Sequence, residues 1–396
     1  MSFLFFILVA LIFYSYVGYG VCLWLLVGLK KLLNIKRVQD VFQENFPAVT
    51  LIIPAYNEKE IIDQKMENTF CLDYPTDKLK VVWITDGSDD GSEKYLRERY
   101  MSVMQKFSVE VLHQPERKGK SAAINRAMNF VSTDIVIFCD ANTMLNEASI
   151  KNIVRHFNNP YVGCVAGEKR VLADGTTAGD GESFYWKYES WIKQLSSELN
   201  TCIGSVGELN AIRTHLFKPL PADTILDDFV LSMQIAHRGY KIEYEPDAYA
   251  EEAPSENERE EMKRKVRIAT GAFQSMFRFP EWLNVFKHPV LSYQYFSHKI
   301  TRWLIVPFGL PIVFILNIIL FFKHPENTIY SVLLFLQLCF YSIVIIQYVT
   351  SLPAKLFRLP YYIWMMNVAM LKGFVKYILH QQSPAWEKVR RKELQR

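Results

Sequence analysis

Three short stretches group side chains suited to cations and the phosphates of a substrate: Tyr56-Asn57-Glu58, Asp86-Gly87-Ser88-Asp89-Asp90 and Asp140-Ala141-Asn142. Asp140 and Asn142 are hard oxygen ligands, a pair suited to Mg2+ or Mn2+ that also holds the phosphate oxygens of a substrate. Lys118-Gly119-Lys120-Ser121 opens a predicted helix, where ammonium groups and helix amides together hold phosphates. Asp227-Asp228 follows apolar Ile225-Leu226 and opens another; a carboxylate there either caps the helix or takes a proton from a hydroxyl. Lys263-Arg264-Lys265-Val266-Arg267 is a basic run, either a solvated helix face or a clamp on a diphosphate. The chain has no G-x-x-x-x-G-K-[ST] and no G-x-G-x-x-G, which argues against an ATPase or a dinucleotide enzyme.

The elements that must position these residues follow an alternating pattern between about residues 48 and 280. Short β-rich runs at 48–53, 80–84, 108–112, 134–139, 161–165 and 241–244 are separated by helical patterns at 58–69, 92–105, 120–131, 147–157, 183–198 and 227–238. Such alternation predicts a mostly parallel sheet with crossover helices. In open sheets of this kind ligands gather outside the carboxyl ends of the strands, and three successive runs end in the polar clusters above. An isolated Asp-Gly-Ser is ordinarily a turn. Three polar clusters at one sheet edge, with more acids downstream, point to a site.

Composition narrows the class. Half of the 396 residues are apolar and 22% are charged, which excludes a disordered chain. The 45 basic and 41 acidic side chains leave +4, too weak a balance to argue for nucleic acid as a partner. The six cysteines show no C-x-x-C pair and read as reduced thiols.

The apolar residues are concentrated at both ends. Residues 1–29 carry no charge and are followed by Lys30, Lys31, Lys36 and Arg37. That length spans a bilayer as a helix, and without a basic start or cleavage site it reads as an uncleaved span rather than a signal peptide. The basic cluster places the N-terminus outside and the chain from Lys30 onward in the cytoplasm. Charge-free runs from Trp303 to Phe322 and Thr328 to Leu352 predict two more spans within 303–352. Two amphipathic segments, 286–302 and the start of 355–396, are expected to lie along the membrane surface, the second followed by a basic tail. The middle, 45–285, is expected to be cytosolic.

In their order these motifs resemble family 2 glycosyltransferases, and within them the membrane-embedded group that includes cellulose, hyaluronan and poly-N-acetylglucosamine synthases. The residues that carry the resemblance are Ile52 to Glu58, Asp86 to Ser92, Lys120 to Asn125, Asp140-Ala141-Asn142, Asp227-Asp228 and Arg264-x-x-Arg267. Ser297 to Trp303 and the late Asn367, Trp386, Lys388 and Arg390 extend it. The resemblance implies an α/β fold of the GT-A type, a Rossmann-like mostly parallel sheet accompanied by transmembrane and interfacial helices.

By position it further implies that Tyr56, Glu58 and Asp86 hold the uridine of a UDP-sugar and Lys120 its diphosphate. Asp140 and Asn142 correspond to the Asp-x-Asp metal motif for Mg2+ or Mn2+, with Asn in place of the second acid. Asp228, preceded by Asp227, corresponds to the general base that activates the acceptor hydroxyl. Arg264 and Arg267 correspond to the Gln-x-x-Arg-Trp motif and the diphosphate contact, with Ile268 where the acceptor-stacking Trp would be.

The expected reaction is inverting transfer of a sugar to a growing polysaccharide at the cell membrane, giving β-linkages and possible translocation. The partners would be a UDP-sugar, a polysaccharide or glycolipid acceptor and membrane lipid. Ile268 leaves open a non-processive transfer of one sugar to a lipid-linked acceptor. The reading from another class, a non-catalytic membrane scaffold, would predict decayed acids, yet Asp86, Asp140, Asp227 and Asp228 are all present.

Overall fold

A computed structural model describes residues 1–33, 46–102, 107–172, 177–350 and 355–381. Of the sequence expectations, Lys36, Arg37, the end of the helix at 92–105, the last residues of the second closing span and the basic tail from residue 382 lie outside the described residues. The chain divides into two units, one of residues 1–30, 173–192 and 256–382, the other of 31–172, 193–255 and 383–396.

The second unit holds an eight-stranded sheet in the order β3-β2-β1-β4-β7-β6-β8-β5. The strands are β1 Val49–Ala55, β2 Leu79–Asp86, β3 Val109–Gln114, β4 Ile135–Phe138, β5 Met144–Leu145, β6 Val162–Val171, β7 Asn210–Arg213 and β8 Lys241–Glu252. β3, β2, β1 and β4 run parallel, as do β6 and β8, whereas β7 is antiparallel to both its neighbours and β5 to β8. The sheet is therefore mixed. The antiparallel strands are the short ones, two and four residues long, with too little periodicity to be seen in the sequence.

β-Branched and aromatic residues make β1, β2 and β4 buried on both sides, as a parallel sheet covered by helices requires. Leu51, Ile53, Val81, Trp83, Ile135 and Ile137 share one core with Ile62, Met66, Ile150 and Ile153 from the covering helices. The alternating residues Ile52, Val82, Ile84, Val136 and Phe138 are buried as well. Each such side chain contributes about 1.5–3 kcal/mol of burial, which holds the strand ends still enough to place a site. The chain proceeds outward from β1 through β2 to β3 and then returns to β4 on the other side of β1. This reversal opens a crevice at the carboxyl ends of β1 and β4, where open α/β sheets bind ligands.

Among the described residues three helical stretches, in the first unit but for Lys31 and Leu32, are long and apolar enough to cross a membrane: Ser2–Leu32, Pro289–Lys323 and Thr328–Thr350. No break separates the expected surface segment at 286–302 from the span after it. Helix begins at Pro289, passes through a π-helical turn at Phe296–Ile305 and continues to Lys323. The stretch from 290 to 306 contains neither Gly nor Pro to interrupt it. A buried acid ties this helix to the helix Thr177–Leu199. Glu189 accepts from His298 Nε2 at 2.8 Å and Arg302 Nη1 at 2.8 Å, with Lys299 Nζ at 3.2 Å. The side chains of Glu189 and Arg302 are only 6% and 11% exposed.

Removing one member of such a cluster leaves its partners as uncompensated buried charge. Glu189→Ala is expected to lower stability by about 3–5 kcal/mol. Thermal unfolding of the full chain in detergent, compared with Glu189→Asp, checks this; an unchanged midpoint for the alanine variant would contradict it.

Candidate functional site

The crevice is walled by the loops after β1, β2 and β4. Tyr56, Asn57 and Glu58 follow β1 directly, and Asn57 adopts a left-handed φ of 53°. Its side chain bridges to the next loop, donating from Nδ2 to Asp89 Oδ1 at 2.7 Å and accepting from the Asp89 N–H at 3.0 Å. The Asn57 and Lys59 N–H groups donate to Ser88 Oγ and Asp90 Oδ2. The loops after β1 and β2 thus behave as one piece. Arg117 lies over the Tyr56 ring, with Cζ 3.7 Å from its centroid.

Asp86 ends β2 and is fully buried. Its Oδ2 accepts from the backbone N–H of Lys118 at 3.0 Å and of Gly119 at 2.6 Å. Its Oδ1 has no hydrogen-bond partner among the described residues, with Arg126 Nη1 3.6 Å away. A buried carboxylate oxygen in that state favours a donor brought by a ligand. Gly87, the next residue, has φ +68°, and a Cβ there would stand 2.8 Å from the backbone N and Cα of Arg117.

Gly119 then turns the chain into the short helix Lys120–Ala127. This helix positions two things. Asn125 clamps the loop before Asp227 by exchanging hydrogen bonds with the backbone of Leu220, both at 2.8 Å, and Ser121 donates to the Thr224 carbonyl. Lys120 extends into the crevice, its Nζ 2.6 Å from Asp140 Oδ1 and 3.5 Å from Asp227 Oδ2. Burial alone would push Lys120 towards neutrality, but Asp140, Asp227 and Asp228 overcome it and hold the ammonium charged.

Asp227 and Asp228 form the first turn of the helix Asp227–His237, whose dipole favours their ionised forms. For Asp228 burial wins, reinforced by the charge of Asp227 and to a lesser degree of Glu208, against the pull of Lys120; its carboxyl is pushed up to about 7. Burial raises Asp140 in the same sense, with Lys120 opposing and Glu208 adding to it. The cluster is short of positive charge. Gly207 backs it, a Cβ there standing 3.4 Å from Lys120 Nζ and 3.8 Å from Asp228 Oδ2.

Asp140 and Asn142 sit on a turn fastened from below by the helix Ile62–Phe70. Lys65, fully buried, donates to the Thr143 carbonyl at 2.5 Å and lies 3.0 Å from Cys139 Sγ. Asn68 exchanges hydrogen bonds with the backbone of Leu145. Asp140 and Asn142 are the oxygen donors this turn offers a divalent cation. Among the described residues no group of three or more His, Cys, Asp or Glu side chains converges for a metal, so substrate phosphate and water would complete the shell.

Tyr56, Glu58, Asp86, Lys120, Asp140, Asn142, Asp227 and Asp228 thus belong to one unit, whereas Arg264 and Arg267 lie on the helix Glu258–Arg278 of the other. There Arg264 forks onto Glu261, with Nε at 3.0 Å and Nη2 at 2.9 Å. Lys65, Arg126 and Arg117 carried no sequence signal, because each acts through contacts distant along the chain. Glu208 pairs with Lys169, which also pairs with Glu252, a link equally invisible in one dimension.

Residues 50–216 match the family described as glycosyl transferase family 2, and residues 135–376 match glycosyl transferase family group 2. Poly-beta-1,6-N-acetyl-D-glucosamine synthase of Staphylococcus aureus (strain COL) is 25% identical over 254 residues, 62% of this chain and 59% of that protein. The Staphylococcus epidermidis protein of the same name is 25% identical over 240 residues, 58% of this chain and 56% of its own length. The chain thus spans less than two thirds of the curated relatives it matches. A solved mannosyltransferase from Pyrobaculum calidifontis, in complex with GDP-Man and Mn2+, has the same fold, with a TM-score of 0.73 at 22% identity over 96% of this chain and 100% of that one.

Gly87→Ala would force a strained φ and a clash with the Arg117 backbone. It is expected to cost more than ~1 kcal/mol and to loosen the amides that hold Asp86. Chemical denaturation measures the loss; an Ala variant as stable as the parent would show that the loop yields at no cost.

Proposed function

Because this chain belongs to glycosyl transferase family group 2, we propose that it moves a sugar from a nucleoside-diphosphate donor, a UDP-sugar, to a hydroxyl of a growing polysaccharide. The observation that carries this reading is the meeting of Lys120, Asp140 and Asp227 beside Asp228 at the crevice. It combines a cation for phosphate, oxygen donors for a metal and a raised carboxyl for proton transfer. Asp86 Oδ1, which has Arg126 Nη1 at 3.6 Å but no hydrogen bond among the described residues, and Tyr56, under Arg117, form the end suited to the nucleoside.

The donor set fits Mg2+ or Mn2+: Asp140 supplies a carboxylate, Asn142 an amide oxygen, and a bound dication would favour the ionised form of carboxyls that burial, with neighbouring acids, raises. Bound there, a divalent cation would neutralise charge developing on the leaving diphosphate. Lys120 holds the same phosphates from the start of its helix, and Arg264 and Arg267 are assigned to the diphosphate as well. Asp228 accepts the proton of the attacking hydroxyl, a contribution typically worth 10²–10⁴-fold. Asp227 holds Lys120 in place and keeps the Asp228 carboxyl basic. Attack opposite the diphosphate inverts the anomeric centre, so an α-linked donor yields a β-linkage. The relatives named as poly-beta-1,6-N-acetyl-D-glucosamine synthases support a polymeric product.

Ile268, where the resemblance expects an acceptor-stacking Trp, favours the second reading, transfer of one sugar to a lipid-linked acceptor. With three apolar helices available, we place the protein in the cell membrane with its N-terminus outside and the sheet unit on the cytoplasmic side.

Asp228→Asn is expected to lower transfer by at least ~10²-fold while nucleotide binding with Mn2+ is retained. A base must be ionised to act, and its folded pKa is raised. In the parent, kcat/KM should therefore rise with pH through about 7 and be lost below it. A flat profile between pH 5 and 8, or an active Asn variant, assigns the base elsewhere.

Membranes given labelled UDP-N-acetylglucosamine, UDP-glucose, UDP-glucuronate or GDP-mannose should convert one UDP-sugar to long polymer, and EDTA or Asp140→Ala should stop it. Product sizing separates the two readings, since a single-sugar glycolipid supports the second. A retained α-linkage overturns the mechanism.

A further inference from the structure

The helices Glu258–Arg278 and Lys355–Ile378 pack closely at Gly373, where an added Cβ would stand 2.4 Å from Ala269 Cβ and 2.9 Å from the Thr270 backbone N. Along the same pair lies a groove of about 600 Å³. One wall carries Arg259, Met262, Lys263 and Val266, the other Leu371, Lys372, Val375 and Lys376. The two walls repeat one pattern. Each sets two cations four residues apart beside two apolar side chains four residues apart, so each helix presents a basic ridge and an apolar ridge to the same space.

Among the described residues the groove is lined by four cations and no acid. Of the acids on the same helix, Glu260 meets Lys263 at 2.6 Å, Glu261 meets Arg264 and Glu258 accepts from the Tyr361 hydroxyl. Like charges at i,i+4 destabilise a helix by a few tenths of a kcal/mol per pair, and both walls carry such a pair, an arrangement an anion between them would relieve. A free phosphate would satisfy the cations but leave Met262, Val266, Leu371 and Val375 facing water, and Val375 is 53% exposed. A ligand with a phosphate head and an acyl body covers both ridges. The volume accommodates a head group and the first part of its chains. Three apolar helices of the same unit bring this surface to where such molecules are.

We propose that this groove binds an anionic glycerophospholipid, its phosphate between Lys263, Lys372, Lys376 and Arg259 and its upper acyl chains on Met262, Val266, Leu371 and Val375. The site does not depend on the sugar-transfer reading. It lies on the helix that carries Arg264 and Arg267, so the lipid braces the segment assigned to the diphosphate.

The test uses the full chain in neutral detergent, with lipid adducts counted by native mass spectrometry. The probes are phosphatidylglycerol, phosphatidylcholine, glycerol 3-phosphate and inorganic phosphate. Phosphatidylglycerol should saturate a single site at least tenfold more tightly than phosphatidylcholine. Each cation removed should weaken it roughly fivefold, so Lys372→Gln with Lys376→Gln should weaken it about 25-fold. Val375→Asn should weaken phosphatidylglycerol but leave any glycerol 3-phosphate binding unchanged.

Equal binding of the two lipids, no saturable lipid, or undiminished binding by the double variant would overturn the proposal. So would glycerol 3-phosphate or inorganic phosphate binding as tightly as the lipid, which would make this a site for soluble phosphates. Arg259→Gln, on the opposite helix, gives a second reading of the same prediction should the double variant unfold.

Discussion

One ammonium group, Lys120 Nζ, links what three distant parts of the chain bring to the crevice. Asp140 arrives from the end of β4, Asp227 and Asp228 from the start of a helix, and Lys120 from the helix after β3. Carboxylates brought this close without a counter-charge would take up protons rather than share a site. The lysine allows them to coexist, while burial, reinforced by the charge of Asp227, leaves the Asp228 carboxyl at about 7. The proposed donor, a diphosphate with its divalent cation, matches such a cluster in charge.

Rigidity around that cluster comes from backbone hydrogen bonds closed by side chains. Asn57 and Asp89 join two loops, Asp86 gathers the amides that precede Lys120, Asn125 clamps the loop before Asp227, and Lys65 fastens the turn after Asp140. Each bond is worth only ~1 kcal/mol of stability. Together they hold side chains from separate loops in one geometry, which matters more to chemistry than their summed energy. The other unit uses the same device at larger cost, since Glu189 takes contacts from His298, Lys299 and Arg302 where little water can help.

Much of the sheet was legible because its long strands are runs of Val, Ile and Leu between helical patterns. The sequence boundaries for β1, β2 and β4 fall within a residue or two of the structure. β5 and β7 were not legible, being two and four residues long and defined only by their neighbours. β8 was expected to end at Tyr244 and continues to Glu252, because pairing with β6 carries the strand across Pro246 and Asp247. The helix from Pro289 to Lys323 looks divided in the sequence because charge density changes along it, whereas the helix itself runs on without a break through its π-helical stretch.

Local pattern determined which residue types stand at the ends of β1, β2 and β4, where apolar helices begin, and that acids suited to the proposed metal and base chemistry are present. These are properties of neighbours along the chain, and hydrophobic periodicity and turn chemistry report them directly. Which carboxylate meets Lys120, which oxygen of Asp86 is left without a donor, and that Lys65 lies beneath Asp140 were decided only by the tertiary structure. Those outcomes depend on distances between segments from about 20 to more than 100 residues apart, and on a balance of burial against charge that exists only once the segments are packed.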